Sequence, residues 1–382
     1  MKTALYTFSE GRLCVQPGSD LLVPEQVQLV FCFGNKDSIL RDNAFEMLRQ
    51  KFSSAHIAFC SAAGAIANNS VIDDCFTVAA LQFKTSVVSH YTVSIDDFAN
   101  SYEAGKSLMQ QIDQKKTKYI LILSDGQKVN GSELLRGVNE VNSTEIPVSG
   151  GLAADGYNFK STLTGINQTP SGGIIAAIAL AGENLQVNYG TDAGWENFGP
   201  EREVTASDHN KLVSIDGKNA LDLYKKYLGK EAEGLPGSAL FFPLSLRTAD
   251  DTNVVIRTIL SVDENEKSMV FAGDVPVGCK VRFMRANLDK LTQAATHAAQ
   301  QTLLPGHEIP RFALLVSCVG RKLVLNTRTD DELTAVQEVF GGKTLLSGFY
   351  SYGEIAPSRG LGSQLHNQTM TITTFYELEQ AS

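Results

Sequence analysis

No stretch of this sequence is long and apolar enough to cross a bilayer. The longest uninterrupted apolar run, Ile174 to Ala181, falls far short of the ~20 residues a spanning helix needs. The opening segment, Met1 to Glu10, lacks the apolar core of a secretion signal. The chain is therefore expected to stay in the cytoplasm with no membrane insertion. Runs of basic residues are also missing. The densest patch, Lys115, Lys116 and Lys118, reads as a solvated helix end before a strand, and the net charge of −9 disfavours nucleic acid as a partner. The six cysteines (Cys14, Cys32, Cys60, Cys75, Cys279 and Cys318) contain no Cys-x-x-Cys pair. That excludes zinc ribbons and thioredoxin motifs, and leaves small core residues in a reducing compartment. No His-x-x-x-His pair occurs among the six histidines.

What is present is enough for a large core. The 382 residues are 43% hydrophobic and 20% charged, ordinary globular usage that needs no metal or disulfide to bury its apolar surface. One unit recurs three times. Leu29–Phe33 is an apolar run ending at Gly34, followed by a helical face of Ala44, Met47, Leu48 and Phe52, a strand from His56 to Cys60, and the small-residue turn Ser61–Gly64. The order returns as a strand over Tyr119–Leu123, a helix from about Ser132, a short strand Ile146–Val148 and the turn Ser149-Gly150-Gly151. It returns again as Phe312–Val316, a helix over about Asp330–Phe340 capped by Gly341 and Gly342, and Leu345-Leu346 leading to Ser347–Gly353. Each repeat has the size of a strand–helix–strand unit.

Elsewhere strands follow strands: Gly172–Leu180, then Leu240–Leu244 and Val254–Ile259 around a polar turn at Thr248–Asn253, Lys280–Met284, and an alternating strand with Met370, Ile372 and Thr374 on one face. Asn287–Leu303 reads as a long amphipathic helix and Ala220–Leu228 as a shorter one. The expected fold is mixed α/β (α+β): two halves of mixed parallel and antiparallel sheet flanked by helices, built from repeated strand–helix–strand units. A purely doubly wound domain does not accommodate adjacent antiparallel strands. Glycine, proline and charge between Gly190 and Asn210 break the apolar pattern, and divide the chain into segments 1–205 and 206–382.

Catalytic motifs are approached and missed. Gly126-Gln-Lys-Val-Asn-Gly131 follows a strand and opens a helix as a phosphate loop would, but Ser132-Glu133 stands where Lys-Ser/Thr is required. A hydrolase elbow needs Gly-x-Ser-x-Gly, and Gly348-Phe-Tyr-Ser351-Tyr-Gly353 has one residue too many. Ser351 or Cys318 remains the nucleophile of a hydrolase alternative. A lone histidine can serve as an axial haem ligand, which makes His297 and His366 the haem candidates. The more site-like features are the turns closing the three units, because ligands of sheet folds bind beyond strand ends and glycines let backbone N–H groups approach. The candidate ligand-binding residues are Cys60, Ser61 and Gly64; Gly150, Gly151 and Asp155; and Cys318, Arg321, Tyr350, Ser351, Tyr352, Gly353, Glu354, His366 and Asn367. Arg321 would pair with a ligand carboxylate.

The segments Val316-Ser-Cys-Val-Gly-Arg321, Ser347-Gly-Phe-Tyr-Ser-Tyr-Gly-Glu-Ile-Ala-Pro357 and Leu365-His-Asn-Gln-Thr369 resemble the C-terminal signature of FIST proteins. Phe59-Cys-Ser-Ala-Ala-Gly64 and Pro147-Val-Ser-Gly-Gly-Leu-Ala-Ala-Asp155 resemble the N-terminal FIST segment. The resemblance implies a bacterial sensory module that binds a small ligand such as an amino acid, without being an enzyme. It also implies signalling through a separate histidine kinase, chemotaxis protein or cyclic-di-GMP enzyme. Stand-alone members of the nitric-oxide-sensing type bind haem, which gives the alternative of a haem-based nitric oxide sensor. The first turn departs from the family pattern, reading Ala63-Gly64-Ala65-Ile66 where Gly-Glu-Ile is usual.

Overall fold

A computed structural model describes residues 1–247, 254–358 and 362–378. The fold is mixed α+β, as the strand and helix pattern requires. Its three repeated strands carry continuous apolar runs because both faces are covered. Leu29, Phe31 and Phe33 enter a central core, while Val30 and Cys32 face the helices Lys36–Arg41 and Ala44–Lys51. Tyr119, Leu121 and Leu123 enter the same central core, and Ile120 and Ile122 face outward to helices. Phe312, Leu314 and Val316 repeat the pattern against Ala313 and Leu315. This period-two division between two cores makes a run without polar alternation read as a buried strand. Aromatic contacts join the units in the centre, with Phe31 and Phe312 at 6.3 Å and Phe33 and Phe349 at 4.9 Å between ring centroids.

Three six-stranded sheets surround that core with one shared plan. The first runs Thr164–Ile166, His56–Ser61, Leu29–Gly34, Phe76–Gln82, Lys2–Ser9, Arg12–Val15. The second runs Gly362–His366, Gly353–Ser358, Val148–Leu152, Thr117–Ser124, Ile174–Ala181, Val87–Ser94. The third runs Ser70–Ile72, Ala65–Ala67, Leu345–Ser351, Phe312–Cys318, Met370–Glu377, Leu185–Asp192. In each, the two strands of the repeated unit pair in parallel, in the registers Gly34 with Ser61, Ser124 with Leu152, and Cys318 with Ser351.

Each sheet is completed by a strand from another unit. Thr164–Ile166 of the second unit lies on His56–Ser61, Gly353–Ser358 of the third on Val148–Leu152, and Ala65–Ala67 of the first on Leu345–Ser351. The exchange runs in one rotational sense, so the three units form a closed cycle with pseudo-threefold symmetry. The fourth sheet is an insertion between Leu185–Asp192 and the helix Leu288–Gln301. Its strands run Val255–Arg257, Leu244–Arg247, Lys280–Arg285, Glu196–Asp208, Lys211–Ile215, Ser268–Phe271, Ile259–Asp263, around their own core. Residues 205 and 206 are neighbours within its long strand Glu196–Asp208, so the divide drawn from composition falls in mid-strand.

Several elements differ from expectation. Ser149, Gly150 and Gly151 are not a turn but the middle of the strand Val148–Leu152. The third unit's closing strand likewise extends through Gly348 and Tyr350 to Ser351. The glycines there serve close packing: an added Cβ would come within 1.9 Å of the Ile122 carbonyl oxygen at Gly150, and 1.8 Å of that of Leu315 at Gly348. Leu240–Leu244 is a 3-10 turn, Gly237–Phe241, with the strand starting only at Leu244. A helix at Val319–Leu325 directly follows the Phe312–Cys318 strand. The expected hairpin forms between Leu244–Arg247 and Val255–Arg257, and its turn at 248–253 lies outside the described residues.

Candidate functional site

The ends of the three closing strands meet on the cycle's axis. Three backbone hydrogen bonds join them in a ring: Ala63 N–H donates to the Tyr350 carbonyl (2.9 Å), Ala154 N–H to the Ser61 carbonyl (2.9 Å), and Tyr352 N–H to the Leu152 carbonyl (3.1 Å). Ser61 reinforces it, its hydroxyl donating to the Ala154 carbonyl (2.8 Å) and accepting from Leu163 N–H (2.9 Å). The turns from separate parts of the chain are thus brought together. Gly151 and Glu354 lie directly opposite one another on paired strands.

Around this ring the first-strand end of one unit faces the closing turn of the next at three related junctions. At two of them a lysine of the chain crosses to the next unit. Lys36, just beyond Gly34, reaches the second unit's loop, donating to Asp155 Oδ2 (3.4 Å) and to the Ser161 hydroxyl (2.6 Å). Lys322, just beyond Cys318, reaches the first unit's turn, donating to the Ala63 carbonyl (2.8 Å) and to Asp73. At the third, Lys128 pairs with Asp96 (2.8 Å) instead of crossing. A cavity of about 580 Å3 opens there, within the range of small-molecule sites.

The cavity is walled by the loop Gly126–Gly131, by Leu152 and Phe159 of the second unit, by Cys318, Val319, Gly320, Leu323 and Tyr352 of the third, and by Asn210, Leu240, Thr258, Leu260 and Phe271–Gly273 of the inserted unit. Asp125 organises the first wall, accepting from the N–H groups of Gln127 and Lys128 (2.7 Å each) and of Gly173 (2.9 Å). The Gln127 and Lys128 N–H groups are thus taken up within the protein, as are those of Gly126 and Asn130, by Thr162 and Ser101. Tyr352 shapes the opposite side. Its ring stacks on Phe159 at 4.5 Å and 13°. Its hydroxyl donates to Asp155 and accepts from the N–H groups of Asp155 and Phe159 (3.2 Å each). Burial works to raise the Asp155 carboxyl, but the bonds from Tyr352, Ser161 and Lys160 outweigh it and hold it below the usual carboxylate range.

Of the candidate ligand-binding residues, only Cys318 and Tyr352 line this cavity, beside the Gly126–Gly131 loop set aside as a phosphate motif. Arg321 is fully buried and its guanidinium already has a carboxylate: Nη2 and Nε donate to Glu332 Oε2 (2.8 and 3.2 Å), and the remaining bonds go to the carbonyls of Ala193, Leu291 and Gln368. The ligand partner expected for Arg321 is supplied by the protein itself. Tyr350 joins the same network, donating to Glu332 Oε1 at 2.7 Å. Ser351, fully buried, donates to Glu354 Oε1 (2.7 Å), while Glu354 Oε2 accepts from the Thr369 N–H (3.2 Å) and hydroxyl (2.9 Å). Neither arrangement offers a hydrolase nucleophile. Ser351 has no histidine base, and burial pushes the Cys318 thiol far above its ordinary value, keeping it protonated. Cys60 is buried, its thiol likewise raised by burial. Gly64 (φ +133°) makes room for Lys322, whose Nζ an added Cβ would meet at 2.8 Å. Gly150, Gly151 and Gly353 pack against their own chain.

The haem candidates do not fit that group. His297 is exposed and its Nδ1 pairs with Asp192 Oδ2 at 2.6 Å, on no cavity wall described here. His366 is buried, and desolvation lowers it to about 4, but it does not line the cavity. It belongs to a buried run in which His366 Nε2, Asn367 Oδ1 and both amide atoms of Gln368 have no partner. The Gln368 amide sits directly behind Gly320. Sequence reasoning missed Lys36 and Lys322, although each stands just past a repeated strand, and missed the inserted unit's wall, whose apolar strand residues give no signal. No helix among the described residues is long and apolar enough to cross a membrane.

Among solved structures, a cyanuric acid hydrolase from A. caulinodans is similar at 8% identity, with 94% of this chain and 92% of that one covered and a TM-score of 0.36. No curated protein matched. Family models match more closely: the FIST N domain over residues 28–218 and the FIST C domain over residues 220–357. With these two segments in succession over most of its length, the chain belongs to the FIST family.

Proposed function

We propose that this chain, like FIST domains generally a small-ligand-binding module of signal transduction, is a sensor whose ligand occupies the third inter-unit cleft, and that it regulates a separate signalling protein, such as a histidine kinase, by contact. One observation carries the reading. At two of three related junctions a lysine crosses to the next unit, and at the third, where Lys128 pairs with Asp96 instead of crossing, lies the cavity of about 580 Å3. The inserted unit forms one wall and the repeated units the others, so an occupant would bridge both and bias their relative position, which is how a binding event reaches a partner surface. The haem and nitric oxide alternative lacks a histidine on this cavity, and the chemotaxis and cyclic-di-GMP partners rest on the family resemblance alone.

The test uses Leu260, an exposed residue on the cavity wall, where Leu260→Trp adds bulk without disturbing the core. A panel of amino acids and other small metabolites is screened by thermal shift against both proteins. A compound that stabilises the wild type by several degrees and loses that effect in L260W supports the cleft as the site. Equal stabilisation of both proteins by every binding compound rules it out.

A further inference from the structure

The walls of the open cleft also specify the chemistry of what it takes. Among its lining residues only Lys128 carries a charge, and its ammonium is paired with Asp96 at 2.8 Å. The neighbouring guanidiniums also bond within the protein. Arg257, which packs against Gly273, donates to the carbonyls of Asp274 (3.1 Å) and Leu365 (2.8 Å). Arg321 is held by Glu332. The Cys318 thiol is neutral. A ligand ammonium would find no carboxylate on this wall, and a ligand carboxylate only cations already engaged within the protein, so either would leave water at a cost well above that of burying an uncharged polar group.

The remaining surface combines the uncharged polar groups Gln127, Asn130 and Asn210 with apolar and aromatic ones, Phe159 and Tyr352 stacked on one side and Phe271 and Leu260 on another. Within it lies one unmet requirement. Thr258 belongs to the cavity wall and its buried Oγ1 has no hydrogen-bond partner; such a group usually marks a place where a ligand or water completes the bond. We infer that the cleft selects an uncharged aromatic or heteroaromatic molecule with a hydrogen-bonding edge directed at Thr258, and rejects zwitterionic amino acids. The inference rests on the cleft being the ligand site. It departs from the amino-acid ligand implied by the family resemblance.

Three probes on one ring separate charge from shape: indole (neutral), indole-3-acetate (anionic) and tryptamine (cationic), titrated calorimetrically into the full-length protein at neutral pH. Indole is expected to bind at least tenfold more tightly than either charged analogue. In Leu260→Lys, which adds a cation at the exposed rim, indole-3-acetate should gain severalfold while tryptamine does not. Indole-3-acetate or tryptamine binding as tightly as indole in the wild type, with L260K altering that binding, overturns the neutrality inference and leaves the cleft standing. Binding of indole-3-acetate that L260K leaves unchanged overturns the cleft assignment itself. Silence from all three probes in both proteins overturns the aromatic selection, while the metabolite panel on L260W still decides whether the cleft binds anything.

Discussion

Glu354 carries its proton into the neutral range because nothing cationic bonds to it. It is fully buried, its bonds come from Ser351 and Thr369, and desolvation raises it from 4.5 to about 8. A carboxyl whose folded value lies above its unfolded one takes up a proton on folding. Its contribution is complete below about 4.5 and is lost as pH climbs through about 8. Stability of the wild type should therefore decline over that window by on the order of a few kcal/mol from this group alone. Glu354→Gln, isosteric and uncharged, should flatten the decline; urea unfolding at a series of pH values reads the difference, and an unchanged slope would place the titration elsewhere. Arg321 teaches a related lesson. Its charge and position beside a strand end were legible in the sequence as a carboxylate clamp, and the clamp exists, but its carboxylate is Glu332, eleven residues along the same chain. Single-sequence reading cannot tell an internal partner from an external one, because both satisfy the same guanidinium.

Helices position the cavity loop through glycine contacts. The helix Gly131–Val141 starts at the cavity wall and crosses the helix Ser101–Gln110 closely enough that a Cβ on Gly137 would fall 2.1 Å from the Tyr102 carbonyl oxygen. Gly137→Ala should thus cost about 1–3 kcal/mol from overpacking, against the ~1 kcal/mol that alanine gains within a helix. A lowered midpoint in thermal unfolding, with far-UV helicity kept below the transition, is the expected result. Most elements were legible because apolar runs and helical faces fix them. The errors share a cause. Gly150, Gly151 and Gly348 read as turn residues, yet they stand in strands where neighbouring backbone (Gly150, Gly348) or the Val316 side chain (Gly151) leaves no room for a side chain. Sequence shows the absence of a side chain, not whether a bend or a close neighbour requires it.

Across the whole molecule, the three-unit body and the inserted unit have separate cores. The ring of backbone bonds should make the body open as one. In hydrogen exchange, amides of His56–Ser61, Val148–Leu152 and Leu345–Ser351 should share one opening free energy, with those of Lys280–Arg285 exchanging through a separate, cheaper opening. Three unequal values among the closing strands would mean that the units open independently. The threefold echo was visible in sequence, as were the strand-end turns that meet. What stayed hidden was which cleft remains open, since that depends on whether a lysine side chain crosses to the next unit, a tertiary choice with no local signature.

Handing one edge strand to a neighbour, always in the same direction, leaves every unit with a surplus at one side and a vacancy at the other. A single unit cut free would present both, and neither could be satisfied within it. Its complement is another copy of its own kind, so the covalent links between units order the assembly without being what closes it, and three detached copies would have the same circular answer open to them.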